Sequence, residues 1–304
     1  MRDDSGGITS SLAQKPTIYL KSTAAHVQNT RGIRKGHQTN SGFSAQRTWF
    51  SRTSKPHFRA FVTKRSIFFG PTTLKMLMKL LSTITTEDRW VIGSIALTLS
   101  GIILGALLTE PRAFGVTALT VIGLLFIAWS VTHSPRLSWL LVFGLVAGVL
   151  ELWADWVHVV YFHSLVYTDY FGFHLLASPS YMPIAWWLTV VQFGYLALRL
   201  ADRWPAWSAV GVPTALGMTL PPWYEEFAPS ARAWYYPPHG MMLSHTPLWI
   251  IFTYGGCMFV IASSAVLLYR PQSWGRAVIA GIFTGAGIMF SGVIWFALLG
   301  GAES

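Results

Sequence analysis

Long apolar runs alternate with short polar breaks along this chain, and the runs have the length of membrane spans. Seven stretches stand out: residues 90–109, 113–132, 137–162, 181–198, 204–224, 247–269 and 277–302. Each comes close to the roughly 20 residues a helix needs to cross a hydrocarbon core. The first two are separated only by Glu110-Pro111-Arg112. The fifth contains Pro213, Pro221 and Pro222, which remove helical hydrogen bonds and are expected to kink or break it. The pattern predicts an all-α, polytopic membrane protein of seven transmembrane helices.

Charge placement orients the bundle. With the amino end of the first span in the cytoplasm, the inner breaks carry Arg136, Arg199, Arg203, Arg270 and Arg276, and Lys75, Lys79 and Arg89 precede the first span. The outer breaks carry only Arg112 and Arg232. The positive-inside rule then gives an N-in, C-out topology.

Composition agrees, with 52% hydrophobic and 11% charged residues against the about 25% charged of soluble domains. The net charge of +10 is uneven: residues 1–75 hold 13 Lys/Arg against 2 Asp/Glu, and residues 76–304 hold 9 against 10. Residues 1–75 lack sustained periodicity and read as a disordered basic tail, either transit-like or the product of a start placed too far upstream of Met76 or Met78. Residues 76–304 form the helical domain. A bacterial-type inner or plasma membrane is the expected location, or an organellar membrane if the tail is a transit peptide. No nucleic-acid reader motif is present, and Cys257, the only cysteine, excludes an intrachain disulfide.

The third run carries the candidate chemistry. Gly144, Gly148, Glu151, Asp155 and His158 are spaced by four, three, four and three, so an ideal helix puts all five on one face. Each ionised carboxylate at mid-bilayer costs roughly 3 kcal/mol on insertion scales, so this face should look into the bundle. It is then either a polar stripe holding helices together or the floor of an active site or proton path. Glu225 and Glu226 follow Trp223-Tyr224 at the end of the fifth run. If the fifth helix packs on the third, the two acidic pairs face each other, with Asp155 and His158 beside them.

Burial disfavours a charged carboxyl, so a buried one keeps a proton it can donate, and a second can take the opposite role. Two aromatic segments lie at the same end: residues 163–180, with Tyr167, Tyr170, Phe171, Phe173 and His174, and residues 222–246, reading PWYEEFAPSARAWYYPPHGMMLSHT. They are either interfacial belts or lids. Trp156, Tyr167, Tyr181, Trp186, Trp223, Tyr224, Trp234 and Tyr235 are the candidate substrate-facing aromatics. Aromatic faces stabilise positive charge, which suits protonation of a C=C bond, capture of the resulting cation by water or an internal double bond, and proton return to a second carboxylate. Binding of a divalent cation by Glu151, Asp155, His158 and Glu225 is a competing use, weakened by the absence of an Asp-Asp-x-x-Asp motif. No phosphate loop, nucleophile elbow or zinc-protease motif is present, so no cofactor or metal is expected. The last run has no lysine for a retinal Schiff base.

Residues 145–260 present an ordered set of features: Glu151 at the end of the third helix, the Tyr167–Phe173 segment, Ser178-Pro-Ser-Tyr-Met-Pro183-Ile-Ala-Trp186, Glu225 after a helix broken by proline, Trp234-Tyr235, and Pro247-Leu248. This order resembles the seven-helix carotenoid biosynthesis proteins, which include carotenoid hydratases of the bisanhydrobacterioruberin type. The resemblance implies an acid-dependent reaction on a long, lipid-soluble isoprenoid, with Glu151 and Glu225 as the acids. Two positions depart from that family: its Gly-rich stretch after the first acid is replaced by Trp-Ala-Asp155-Trp-Val-His158, and its Asp-Pro by Glu225-Glu226-Phe. A weaker likeness is to the small integral-membrane terpene cyclases. A proton- or ion-coupled carrier and a structural membrane subunit are the alternatives.

The topology is directly testable. Tags after Ser304 and within residues 231–243 should report the outer side, and a tag within residues 271–275 the cytoplasm. A C-terminus found inside means an even number of spans.

Overall fold

The computed structural model describes residues 83–168 and 172–301. The basic tail, both alternative starts at Met76 and Met78, and Tyr170 and Phe171 of the first aromatic segment lie outside these residues. Seven helices of at least 20 residues make up the domain: α1 (Thr86–Leu108), α2 (Arg112–Thr132), α3 (Pro135–Trp156), α4 (Met182–Ala201), α5 (Ala206–Glu225), α7 (Leu248–Leu268) and α8 (Trp274–Leu299), with the single turn α6 (Phe227–Ser230) between α5 and α7. Six are long and apolar enough to cross a membrane, and α5 is the one that is not. The prolines of α5 leave it a continuous helix of 20 residues. Packing against α7 and α4 supports it along its length, as neighbouring helices do for Pro-containing spans.

The bundle turns its apolar side chains outward as well as inward. Leu107, Phe283 and Leu298 are each more than 60% exposed, the surface expected where the solvent is lipid. The core runs between α3, α4, α7 and α8 through Leu140, Phe143, Ala147, Val191, Met258, Ile261 and Ala280. At one end, Asp88 of α1 accepts hydrogen bonds from Arg199 and Tyr195 of α4, and Asp202 pairs with Arg136 at the start of α3. The arginine-rich helix ends predicted to be cytoplasmic therefore gather on one side of the bundle.

Helix α3 is central because it packs on both α4 and α8. A side chain at Gly144 would run into Trp187, whose carbonyl oxygen lies 2.8 Å from the added Cβ, and one at Gly148 would strike the Pro183 carbonyl and the Trp187 backbone nitrogen. The two glycines thus let the backbone of α4 approach the face of α3 that goes on to Glu151 and Asp155. The fifth helix does not take that place. It packs on α4 and α7, so α5 does not set its acids directly against α3.

The opposite end carries three two-residue strand pairs that an all-α reading did not include. β1 (Val166–Tyr167) pairs antiparallel with β4 (Trp234–Tyr235), β2 (His174–Leu175) with β3 (Ser178–Pro179), and β5 (Met242–Leu243) with β6 (Thr246–Pro247). They fold the aromatic segments over the ends of α3 and α5.

Close approach at Gly148 is a measurable requirement. Gly148→Ala should lower the thermal midpoint in detergent, by an overpacking cost of about 1–3 kcal/mol. Gly123→Ala on α2, where the added methyl meets nothing within 4 Å, should not. Equal midpoints for the two variants would remove the α3–α4 packing argument.

Candidate functional site

Glu151 is 1% exposed, Asp155 7% and Glu225 1%. Such burial is tolerated only where hydrogen-bond partners replace water. For Asp155 they come from the folded-over segments: Oδ2 accepts from the Tyr167 hydroxyl at 2.6 Å and the Ser178 hydroxyl at 2.7 Å. Glu225 accepts from Trp234 Nε1 at 2.6 Å on one oxygen and from the Tyr254 hydroxyl at 2.6 Å on the other, and the Tyr236 side chain lies close to it. Tyr254 in turn accepts a short hydrogen bond from Tyr224.

A single register links the two carboxylates. In the β1–β4 pair Tyr167 stands opposite Trp234, so the donor to Asp155 and a donor to Glu225 are cross-strand neighbours. Their rings meet edge to face at 6.4 Å. Tyr181, at the start of α4, is close enough to respond to both Asp155 and Glu225, and Asp155 acts electrostatically on Glu225 itself. The three carboxyl groups therefore share one polar interior. Burial, reinforced by these acids, pushes the hydroxyls of Tyr167, Tyr181 and Tyr236 above the ordinary phenol value, which keeps all three as donors.

Glu151 differs from the other two acids. It lies one helical turn before Asp155 on the same face of α3. Its Oε2, fully buried, has no protein partner.

The remaining sequence candidates divide. Tyr224 and Trp234 join the network around Glu225, Trp186 stacks on Tyr254 at 6.0 Å, and Tyr167 and Tyr181 surround Asp155. Trp156 is exposed and packs edge to face on Trp153, and Trp223 is exposed against Phe227. Tyr235 is exposed while Tyr236 reaches Glu225, because successive residues of a strand point to opposite faces. Alternation across Trp234-Tyr235-Tyr236 was the available signal for that choice. Tyr254 and Ser178 were not singled out at all. Tyr254 could have been found as a polar member of the buried α7 stripe with Ile250, Cys257, Met258 and Ile261.

His158 leaves the shared face. The helix widens into a π turn at Val157–Tyr161, and the changed residues per turn swing the ring away from the partners of Asp155. Its Nδ1 is 2.9 Å from the Ser164 hydroxyl, and the ring stacks on Trp249 at 4.9 Å and abuts Gly292 of α8. Glu226 also lies apart, bonded to the His245 backbone N–H, His245 Nδ1 and the Thr246 hydroxyl at 2.8–3.0 Å. Among the described residues no group of three His, Cys, Asp or Glu side chains is placed to hold a metal ion.

Residues 152–299 match a family model described as a domain of unknown function, DUF6989. The match takes in Asp155, Glu225 and the donors of both, and begins one residue after Glu151. No curated protein and no solved structure matches the chain.

Glu226 supplies a pH test. Partial burial acts upward on its carboxyl group, but hydrogen bonds from His245, Ser244 and Thr246 outweigh it and hold the group below its ordinary value. A depressed folded value contributes stability above the unfolded carboxylate range, about 4.3, and loses it as pH falls through the folded value. Amide exchange at residues 242–246 should therefore quicken on acidification below that range. In Glu226→Gln it should be fast at every pH, and a wild-type profile in that variant would show that the tie does not hold the hairpin.

Proposed function

We propose that this protein is an integral membrane enzyme that carries out acid-catalysed hydration or cyclisation of a lipid-soluble isoprenoid of the carotenoid or terpenoid type. The observation that carries the reading is the contrast among the three buried acids. Oδ2 of Asp155 and both oxygens of Glu225 accept hydrogen bonds, whereas Oε2 of Glu151 has no partner among the described residues.

In this reading Glu151 delivers the proton of the Glu151–Asp155 pair to a substrate C=C bond, leaving a tertiary cation and a carboxylate. The rings of Trp186, Tyr254 and Trp234 supply electron-rich faces against which the cation is stabilised. Glu225, bound by two donors, supplies fixed electrostatic complementarity. Capture by water forms a C–O bond and releases the second water proton. Capture by an internal double bond forms a C–C bond and ends in loss of a neighbouring C–H proton. In both cases the released proton returns to the Glu151–Asp155 pair, so no net acid is consumed. The seven helices span the bilayer with the amino end in the cytoplasm, and the strand-paired end that covers the acids faces outward.

A proton-coupled carrier is the second reading. The Tyr224–Tyr254–Glu225 hydroxyl relay favours it, because such chains also carry protons in transporters. The two separate in lipid extracts of cells making wild-type or Glu151→Gln protein at equal levels. An enzyme yields a changed pigment or terpenoid that falls at least about 100-fold with the variant, the scale of general acid catalysis. Folding should survive, since the amide preserves shape and hydrogen bonding. Identical extracts from the two strains would falsify the enzyme reading.

A further inference from the structure

A second feature at the strand-paired end bears on how protons reach the buried acids. A cavity of about 330 Å³ opens beside the end of α3, between the β1 segment and the β2–β3 hairpin, with Val159, His163, Tyr167, His174, Leu176 and Ala177 in its wall. His163, His174 and Leu176 are exposed, so water reaches it, and at roughly 30 Å³ for each water it has room for several. Tyr167 belongs to two surroundings at once. It forms part of the cavity wall, and its hydroxyl donates to Asp155 Oδ2 at 2.6 Å. Asp155 lies one helical turn from Glu151, which has a buried oxygen without a partner among the described residues. Ser178, the other donor to Asp155, is fully buried and is not part of the cavity wall.

We propose that this cavity is the aqueous port of the Glu151–Asp155 pair and that Tyr167 passes protons between the two. A cavity water gives a proton to the phenolic oxygen as the Tyr167 O–H proton moves to Asp155. The phenol emerges neutral, the water has lost one proton and the carboxyl pair has gained one. Rotation of the hydroxyl resets the relay, and the reverse sequence discharges the pair. Two imidazoles at the cavity, His163 and His174, can both accept and donate protons there. The proposal rests on the reading that the buried pair handles protons, and it names the route by which the pair exchanges protons with water.

The test needs no substrate. The full chain in lipid vesicles is transferred to heavy water, and the C=O stretch of protonated carboxyl groups is followed by infrared spectroscopy. The band of the pair is identified by its loss in Glu151→Gln and Asp155→Asn. Tyr167→Phe keeps the ring and its contact with Trp234 and should slow deuteration of that band by about tenfold, a barrier raised by roughly 1.4 kcal/mol. Ala177→Trp, which fills the cavity and leaves the hydroxyl in place, should slow it as well. Ser178→Ala removes a hydrogen bond of the same kind from the same oxygen and should leave the rate unchanged. Equal thermal midpoints establish that the variants fold. Unslowed or faster exchange in Tyr167→Phe or in Ala177→Trp, equal slowing in Ser178→Ala, or no wild-type band that these variants remove would each overturn the proposal. Unchanged lipid extracts in Glu151→Gln, by contrast, would remove the enzyme reading and leave the port standing on the exchange rates.

Discussion

Three carboxyl groups enclosed in an apolar bundle impose the condition that the rest of this structure meets. Taking an ion out of water costs several kcal/mol even after relaxation, so the fold must bring donors to each acid or leave a proton on it. Asp155 and Glu225 are each met by hydroxyl or indole donors, and Glu151 lies one helical turn from Asp155. The donors come from three sources: the β1 and β3 segments, the chain leaving α6, and helix α7. That dependence explains why the short strand pairs are folded tightly over the helix ends.

The same condition explains the packing of α3. A helix whose polar face lies inside needs close neighbours on that face, because a gap would leave the acids beside lipid tails. Gly144 and Gly148 let the α4 backbone meet α3 directly, and the Gly281–Gly285 stretch of α8 receives Val146 and Leu150 on another side. Close backbone approach is also what holds membrane helices together where burial against lipid gives little driving force. The packing and the chemistry of α3 therefore rest on one sequence pattern, with small residues in its middle and acids in its last two turns.

The β1–β4 ladder has a role out of proportion to its two residues per strand. By placing Tyr167 opposite Trp234 it couples the surroundings of Asp155 and Glu225. A slip of one residue would turn both donors to the other face. Backbone bonds around the pair, including Thr168 N–H to the Ala233 carbonyl at 3.1 Å, extend the ladder and fix that register. Two acids on helices that do not pack on each other are thereby held in one polar interior.

The sequence by itself determined the long helices, six of them long and apolar enough to cross a membrane, the end at which arginines gather, and the burial of Glu151 and Asp155. Each follows from local hydropathy and from the cost of putting a charge in lipid, which depend little on what packs where. It also marked Glu225, Tyr167, Tyr181, Tyr224 and Trp234 as candidates from their positions at helix ends or in the two aromatic segments. Only the tertiary structure decided which of these touch. It chose Glu225 over Glu226 and Tyr236 over Tyr235, since adjacent residues point in different directions and the choice depends on how α5 and β4 are rotated. It added Tyr254 and Ser178, which become partners of the acids only when α7 and the β2–β3 hairpin are in place. It moved His158 off the face shared by its neighbours, because a π turn changes the residues per turn that the spacing argument assumes. It kept α5 helical through three prolines, because neighbouring helices supply the support that a single strand of sequence cannot reveal. Hydropathy is a property of segments, whereas a hydrogen bond between side chains far apart in sequence is a property of their packing.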